Sequence, residues 1–264
     1  MKFLTAFFLL FSFHLVAQVQ PLPNAHAHND YNHERPLLDA LDQGFTSVEA
    51  DIFLIENELY VYHDLPEVPD KSRTLERLYL KPLKKWIKQN KGRVYPGYEG
   101  PFYLMIDFKS EGPATYLQLR KLMRKYRSML AEVDESGEQS DNPVKIFISG
   151  KRPIQEILND NPKLAGLDGR PADLGKGFSS AVMPVVSDNY HNFFTWKPGA
   201  PVDEQERRAF IEFVNSAHAE GKKVRLWAAP DHERSWRFLL DCGVDLINTD
   251  HLSELREFLL SEKK

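Results

Sequence analysis

Glu49 and Asp51 stand two residues apart in the apolar run 47–54. In an extended strand that spacing puts both carboxylates on one face. Neighbouring carboxylates repel each other, and a hard divalent cation relieves the repulsion. All-oxygen ligation suits Mg2+ or Ca2+. Asp107, in the run 102–108, is placed to complete a three-carboxylate set from an adjacent strand. The competing arrangement is an internal ion pair with Lys109, Lys151 or Arg225. Two histidines tip the reading toward the cation. His28 and His63 fall in polar clusters, HAHND and YHD, at the ends of neighbouring apolar runs. An imidazole and an imidazolium on opposite sides of a phosphorus would serve as general base and general acid. Lys109 is a candidate for offsetting negative charge on a phosphoryl oxygen, or for pairing with Asp107.

These groups need a frame that brings distant segments together. Short β-rich runs alternate with amphipathic segments along almost the whole chain. The expected strands are 23–28, 47–54, 102–108, 144–149, 164–168, 181–187, 224–229 and 246–249. The expected helices are 36–43, 75–89, 114–133, 154–159, 203–220, 233–241 and 253–261. Eight strands with helices between them predict an α/β fold, a single-domain closed (β/α)8 TIM barrel. Residues 55–58 read as a turn, so that 59–62 pairs back on the second strand. Gly44, Gly221 and Gly243 each follow a helical run, where a left-handed cap is expected. The fifth unit is the weak one: 168–179 shows no helical pattern. The acidic stretch 132–142 reads as a solvated loop. In a parallel barrel catalytic groups gather at the C-terminal ends of the strands, which is where these ionisable residues fall.

Length and composition agree with one such domain. The chain has 264 residues, 42% hydrophobic and 27% charged, with a net charge of -4. That balance gives no basic footprint for a nucleic-acid partner. The one cysteine, Cys242, excludes an intramolecular disulfide and a cysteine-rich zinc site. Lys2 followed by the apolar run 3–16 reads as a signal peptide, 1–17, with Ala17 at the cleavage position. The run is too short for a spanning helix. The expectation is an exported protein, periplasmic or secreted, whose barrel occupies 18–264.

The segments HAHNDY, GFTSVEADIFLIENELYVYHD, FYLMIDFKS, GKKVRLWAAPD and GVDLINTD together resemble the phosphatidylinositol-phospholipase-C-like phosphodiesterase superfamily. Within it the chain is similar to bacterial glycerophosphodiester-phosphodiesterase-like proteins and to the fungal altered inheritance of mitochondria protein 6 group. The resemblance runs from His26 to Asp250 and is most specific between His28 and His63. It implies a TIM barrel, a Mg2+ or Ca2+ ion, and a small-molecule or lipid phosphodiester substrate, with a peripheral membrane contact compatible with a lipid. Glu49 and Asp51 match the superfamily's metal-binding Glu-x-Asp. Asp107 matches its third acidic ligand, which is Asp in the sphingomyelinase D branch. His63 matches the His of the His-Asp motif. His28 aligns with the other catalytic histidine, with His26 as support or substitute. The usual His-Arg-Gly is here His28-Asn29-Asp30, and no clear Glu-Asn-Thr follows; His33-Glu34-Arg35 only loosely occupies that place. The implied reaction is metal-assisted diester cleavage by two-histidine acid–base catalysis, with water or a substrate hydroxyl as nucleophile.

Two other classes stay in view. His26-Ala27-His28 also resembles the His-x-His of zinc amidohydrolases, with Asp250 as a further ligand. That reading leaves Glu49 and Asp51 unexplained and lacks histidines near the fifth and sixth strands. A non-catalytic exported binding protein could keep the carboxylates for a structural Ca2+, but needs no paired histidines. Phe193, Phe194 and Trp196 could wall an apolar subsite or simply pack over the barrel.

Overall fold

The computed structural model describes residues 19–196 and 201–262; the expected signal peptide lies outside them. Eight parallel strands form the ring. They are β1 (Leu22–Ala27), β2 (Phe45–Ile55), β4 (Phe102–Phe108), β5 (Val144–Gly150), β6 (Gly166–Gly169), β7 (Val185–Asn189), β8 (Lys223–Trp227) and β9 (Leu246–Thr249). Pairing of β1 with both β2 and β9 closes the barrel. The ninth strand, β3 (Glu58–Val61), stands outside the ring and runs antiparallel to the far end of β2. The two-residue turn between them has Glu56 and Asn57 at φ 48° and 67°. Both positive values fit the twist of a tight hairpin.

The strands read as continuous apolar runs because both faces are covered. On β4, Phe102, Leu104, Ile106 and Phe108 face the helices and join the main core. Tyr103 and Met105 face inward, with Phe147, Val185 and Leu246. This inner cluster plugs the barrel and gives the polar residues above it an apolar floor. The surrounding helices are α1 (Leu38–Asp42), α2 (Lys81–Gln89), α3 (Gly112–Tyr126), α4 (Ile154–Leu158), α5 (Glu204–Ala219), α6 (Glu233–Asp241) and α7 (Leu252–Ser261). Apolar residues at helical spacing dock them, as Phe210, Val214 and Ala217 do on α5. Asp203 caps α5 by accepting from the Gln205 and Glu206 amides.

Two expected helices change in detail, the strand expected over 181–187 falls at Val185–Asn189, and the fifth unit lacks a helix as expected. The run 75–89 opens with a π-helical turn, Glu76–Leu80, before α2. The helix expected over 114–133 stops at Tyr126 and a 3-10 turn. Beyond it the Ala131 amide bonds Val144 and Val133 bridges Lys163, so strand-like pairing overrides the helical pattern. The acidic stretch that follows is a closed turn in which Asp134 Oδ1 accepts from the Ser136 and Glu138 amides. The fifth unit has a 3-10 turn, Pro171–Asp173, where the other units place a helix.

Asp30, fully buried just after β1, holds the path of the chain. Its Oδ2 accepts from the Leu37 amide (2.6 Å) and the Tyr79 hydroxyl (2.8 Å). This supports Leu37 at φ 67°, ψ -48°, within a three-residue turn closed by the Leu38 amide on the Pro36 carbonyl. Burial, only partly offset by those two donors, pushes the Asp30 carboxyl up to about 7. The folded value lies above the ordinary 3.8. Its contribution to stability is therefore complete below pH 4 and is lost as pH rises toward 7. Asp30→Asn should gain stability relative to wild type between pH 4 and 8. Urea midpoints across that range test this; parallel curves would contradict it.

Candidate active site

A cavity of about 370 Å³ opens at the C-terminal end of the barrel. Its polar wall comes from residues two apart on β2 and from strand register. Asp51 pairs in register with Asp107 on β4, and Glu49 with Met105. Oxygens of Glu49, Asp51 and Asp107 all lie within 4.8 Å of one another.

In each aspartate one oxygen takes all the partners. Asp51 Oδ2 is approached by the Tyr31 hydroxyl (2.7 Å), His63 Nδ1 (3.0 Å) and Lys109 Nζ (3.0 Å). Asp107 Oδ2 accepts from Lys109 Nζ at 2.7 Å. Asp51 Oδ1 and Asp107 Oδ1 are buried with no hydrogen-bond partner. An unsatisfied buried carboxylate oxygen is expensive, and a hard cation is the ligand that would satisfy both. The donor set therefore fits Mg2+ or Ca2+. Burial and then the charge of Glu49 push Asp51 up from the usual carboxylate range, against the pull of Lys109. For Glu49, burial acts upward but Arg225 and the adjacent histidines outweigh it, holding the carboxyl well below that range.

Gly150 at the end of β5 keeps this arrangement open. A Cβ there would lie 2.0 Å from Asp107 Oδ1 and 2.5 Å from the Phe108 carbonyl, on a backbone with φ +67°. Gly150→Ala should displace Asp107 and weaken divalent-cation binding by about tenfold or more. Thermal midpoints titrated with Mg2+ or Ca2+ would show it, and an unshifted titration would refute it.

His28 and His63 flank the carboxylates from different elements. His28, one residue beyond β1, places Nδ1 2.9 Å from Asp250 Oδ1, beyond β9, and Nε2 3.9 Å from Glu49 Oε2. Burial lowers its proton affinity, but the Asp250 hydrogen bond and the Glu49 charge outweigh that and raise it. His63 follows β3, so the hairpin returns it over Asp51; its side chain is 60% exposed. The chain also links the two rings. The Tyr31 hydroxyl reaches Asn29 Oδ1 (2.6 Å) and His63 Nδ1 (3.2 Å), while Asn29 Nδ2 lies 3.1 Å from His28 Nδ1.

Six of the seven expected site residues thus meet at one cavity: His28, His63, Lys109, Glu49, Asp51 and Asp107. His26 does not reach it. It is fully buried below Glu49, with Nδ1 2.7 Å from Ser47 Oγ. Burial, and then Arg225, lower it to about 4, so it is neutral near pH 7. Among the described residues the three-ligand group is the carboxylate set, without His26 or His28. Phe193 and Phe194 pack on Phe210 of α5, and Trp196 on Phe238 of α6; the cavity is lined elsewhere.

Sequence reasoning missed several contributors. Arg225, 2% exposed on β8, was visible only as one of three ion-pair candidates. It reaches Glu49 Oε2 at 3.3 Å and is braced by Asn248 at 2.9 Å. So the internal ion pairs that competed with the cation exist, alongside oxygens they leave free. Asn29 and Tyr31 stand in the HAHNDY segment, whose histidines alone were candidates; Gly150 and Arg170 also line the cavity, and nothing in their local sequence announces it.

The comparisons with known proteins bear on the family and the fold. The model of the AIM6-like phosphodiesterase domain matches residues 13–164. The chain is 27% identical to altered inheritance of mitochondria protein 6 of Kluyveromyces lactis, over 92% of this chain and 74% of that protein. It is 26% identical to the homolog of that protein in Arthroderma benhamiae, over 91% of this chain and 84% of the relative. The fold is similar to a glycerophosphodiester phosphodiesterase from Parabacteroides distasonis. There the TM-score is 0.55 at 16% identity, covering 93% of this chain and all of that one. With its family model matched over more than half its length, the chain belongs to the AIM6-like phosphodiesterase domain family.

Proposed function

We propose that the protein is a divalent-cation-dependent phosphoric diester hydrolase, exported from the cytoplasm, acting on a glycerophosphodiester or a phospholipid-like diester. The observation that carries the reading is the pair of unpartnered, buried oxygens, Asp51 Oδ1 and Asp107 Oδ1, between two histidines held by their Nδ1 atoms. Glu49, Asp51 and Asp107 would hold Mg2+ or Ca2+, which supplies charge stabilisation at a non-bridging phosphoryl oxygen. The remaining work belongs to side chains. Asp250 orients His28 and stabilises the imidazolium formed when Nε2 takes a proton from the nucleophile, water or a substrate hydroxyl. Asp51 holds Nδ1 of His63, leaving Nε2 to protonate the departing alkoxide. Lys109, fixed between Asp51 and Asp107, adds positive charge where the phosphoryl group gains negative charge. Export rests on the N-terminal segment 1–17.

The test is hydrolysis of a glycerophosphodiester panel in EDTA, then with Mg2+, Ca2+ or Zn2+ restored. Loss in EDTA and recovery with Mg2+ or Ca2+ is expected. Recovery with Zn2+ alone, with His63→Ala still active, would move the His26/His28 zinc reading ahead. No turnover of any diester would sink the enzymatic reading.

A further inference from the structure

The cavity has a second cationic wall that the proposed chemistry leaves unused. The ring order places β6 opposite β1, and Arg170, just after β6, lines the same cavity as the carboxylates. Its hydrogen bonds go to Asp168 Oδ2 (2.8 Å), the Gly169 carbonyl (2.8 Å) and Ser149 Oγ (3.2 Å). Asp168 is fully buried and also accepts from the hydroxyls of Ser149 and Ser187. Arg152, bonded to the Asp168 carbonyl and to Asp173, braces the segment from behind. The guanidinium is therefore a fixed group with little rotamer freedom left to lose on binding, unlike a solvated surface arginine.

On the cation side, Lys109 and Arg225 are already paired with the three carboxylates. Arg170 stands apart: its Nη1 is paired with Asp168 and the Gly169 carbonyl, and its remaining guanidinium donors suit a planar anionic group. Met105 and the 38%-exposed Trp227 line the same cavity. The volume suits a headgroup-sized molecule.

We propose that Arg170 forms an anion subsite, and that the favoured substrate is a small phosphodiester whose leaving alcohol carries a carboxylate or a phosphate monoester. This rests on the phosphodiesterase reading for the position of the phosphoryl end. The probes are phosphonoacetate, 3-phosphonopropionate and 4-phosphonobutyrate, each set against the alkylphosphonate of equal length. Calorimetry with Mg2+ present measures Kd for the wild type, Arg170→Lys and the double variant Arg170→Gln/Asp168→Asn. The double variant removes the charge without stranding a buried carboxylate, and its thermal midpoint reports folding separately.

The expected result is at least tenfold tighter binding of one carboxylate probe than of its alkyl partner. Arg170→Lys should narrow that gap and the double variant close it. Equal Kd values in the wild type at all three lengths, a preference that survives loss of Arg170, or no binding by any probe would each overturn the subsite. Diester hydrolysis, assayed on the same preparation, tells failure of the subsite from failure of the phosphodiesterase reading.

Discussion

His63→Ala is expected to slow cleavage of a glycerophosphodiester by about two to four orders of magnitude in kcat. The same substitution should slow bis-p-nitrophenyl phosphate far less, because p-nitrophenolate leaves without needing a proton. That contrast separates an acid from a residue that merely props the cavity. The side chain is 60% exposed, so its removal should shift stability by roughly 0.5 kcal/mol or less. The hydrogen bond lost is to Asp51 Oδ2, which keeps Tyr31 and Lys109 as donors. His28→Ala should slow both substrates alike, since deprotonating the nucleophile precedes the choice of leaving group. Equal losses on the two substrates for His63→Ala would take the acid role away from His63.

Removing the cation should have an effect of similar size on rate and a second, independent effect on stability. Chelation leaves Asp51 Oδ1 and Asp107 Oδ1 buried and unsatisfied. Adding Mg2+ or Ca2+ should raise the unfolding free energy as the logarithm of its concentration, by about 2.7 kcal/mol at a hundredfold excess over Kd. Asp107→Asn should flatten that dependence, because a neutral amide oxygen is a poorer ligand and Lys109 then loses one of its two carboxylate partners. Thermal unfolding with and without EDTA reads this without any substrate. A midpoint indifferent to Mg2+ and Ca2+ over four decades of concentration would remove the cation from the mechanism.

Much of the barrel was legible because its punctuation is local. β4, β9 and α6 begin and end where the sequence pattern places them, each bounded by turn residues or a cap. The helix after β4 was overrun because its last turns retain helical spacing, while the pairing that ends it lies with Val144 and Lys163. The site shows the same division. That Glu49, Asp51, Asp107, His28 and His63 sit where burial is costly can be read residue by residue. Who satisfies whom cannot, since Arg225 meets Glu49 across 176 positions and Asp250 meets His28 across 222. Those partnerships follow from ring closure and strand register. Gly150 is the extreme case: its importance is a distance of 2.0 Å to an oxygen that a different β-strand supplies.

The hairpin outside the ring ties the apparatus together unevenly. Asp107 and Glu49 ride on strands of the ring, whereas His63 follows β3, which pairs with the far end of β2. Among the described residues the hairpin touches the carboxylates at Asp51 alone, whose carbonyl accepts from the Tyr62 amide and whose Oδ2 meets His63. A change of length or residue at Glu56-Asn57 would therefore act on His63 and Asp51 before Glu49 and Asp107. On the proposed chemistry, editing that one exposed turn would alter the help given to a departing alcohol more than it alters Glu49 and Asp107, which stand farther along the ring.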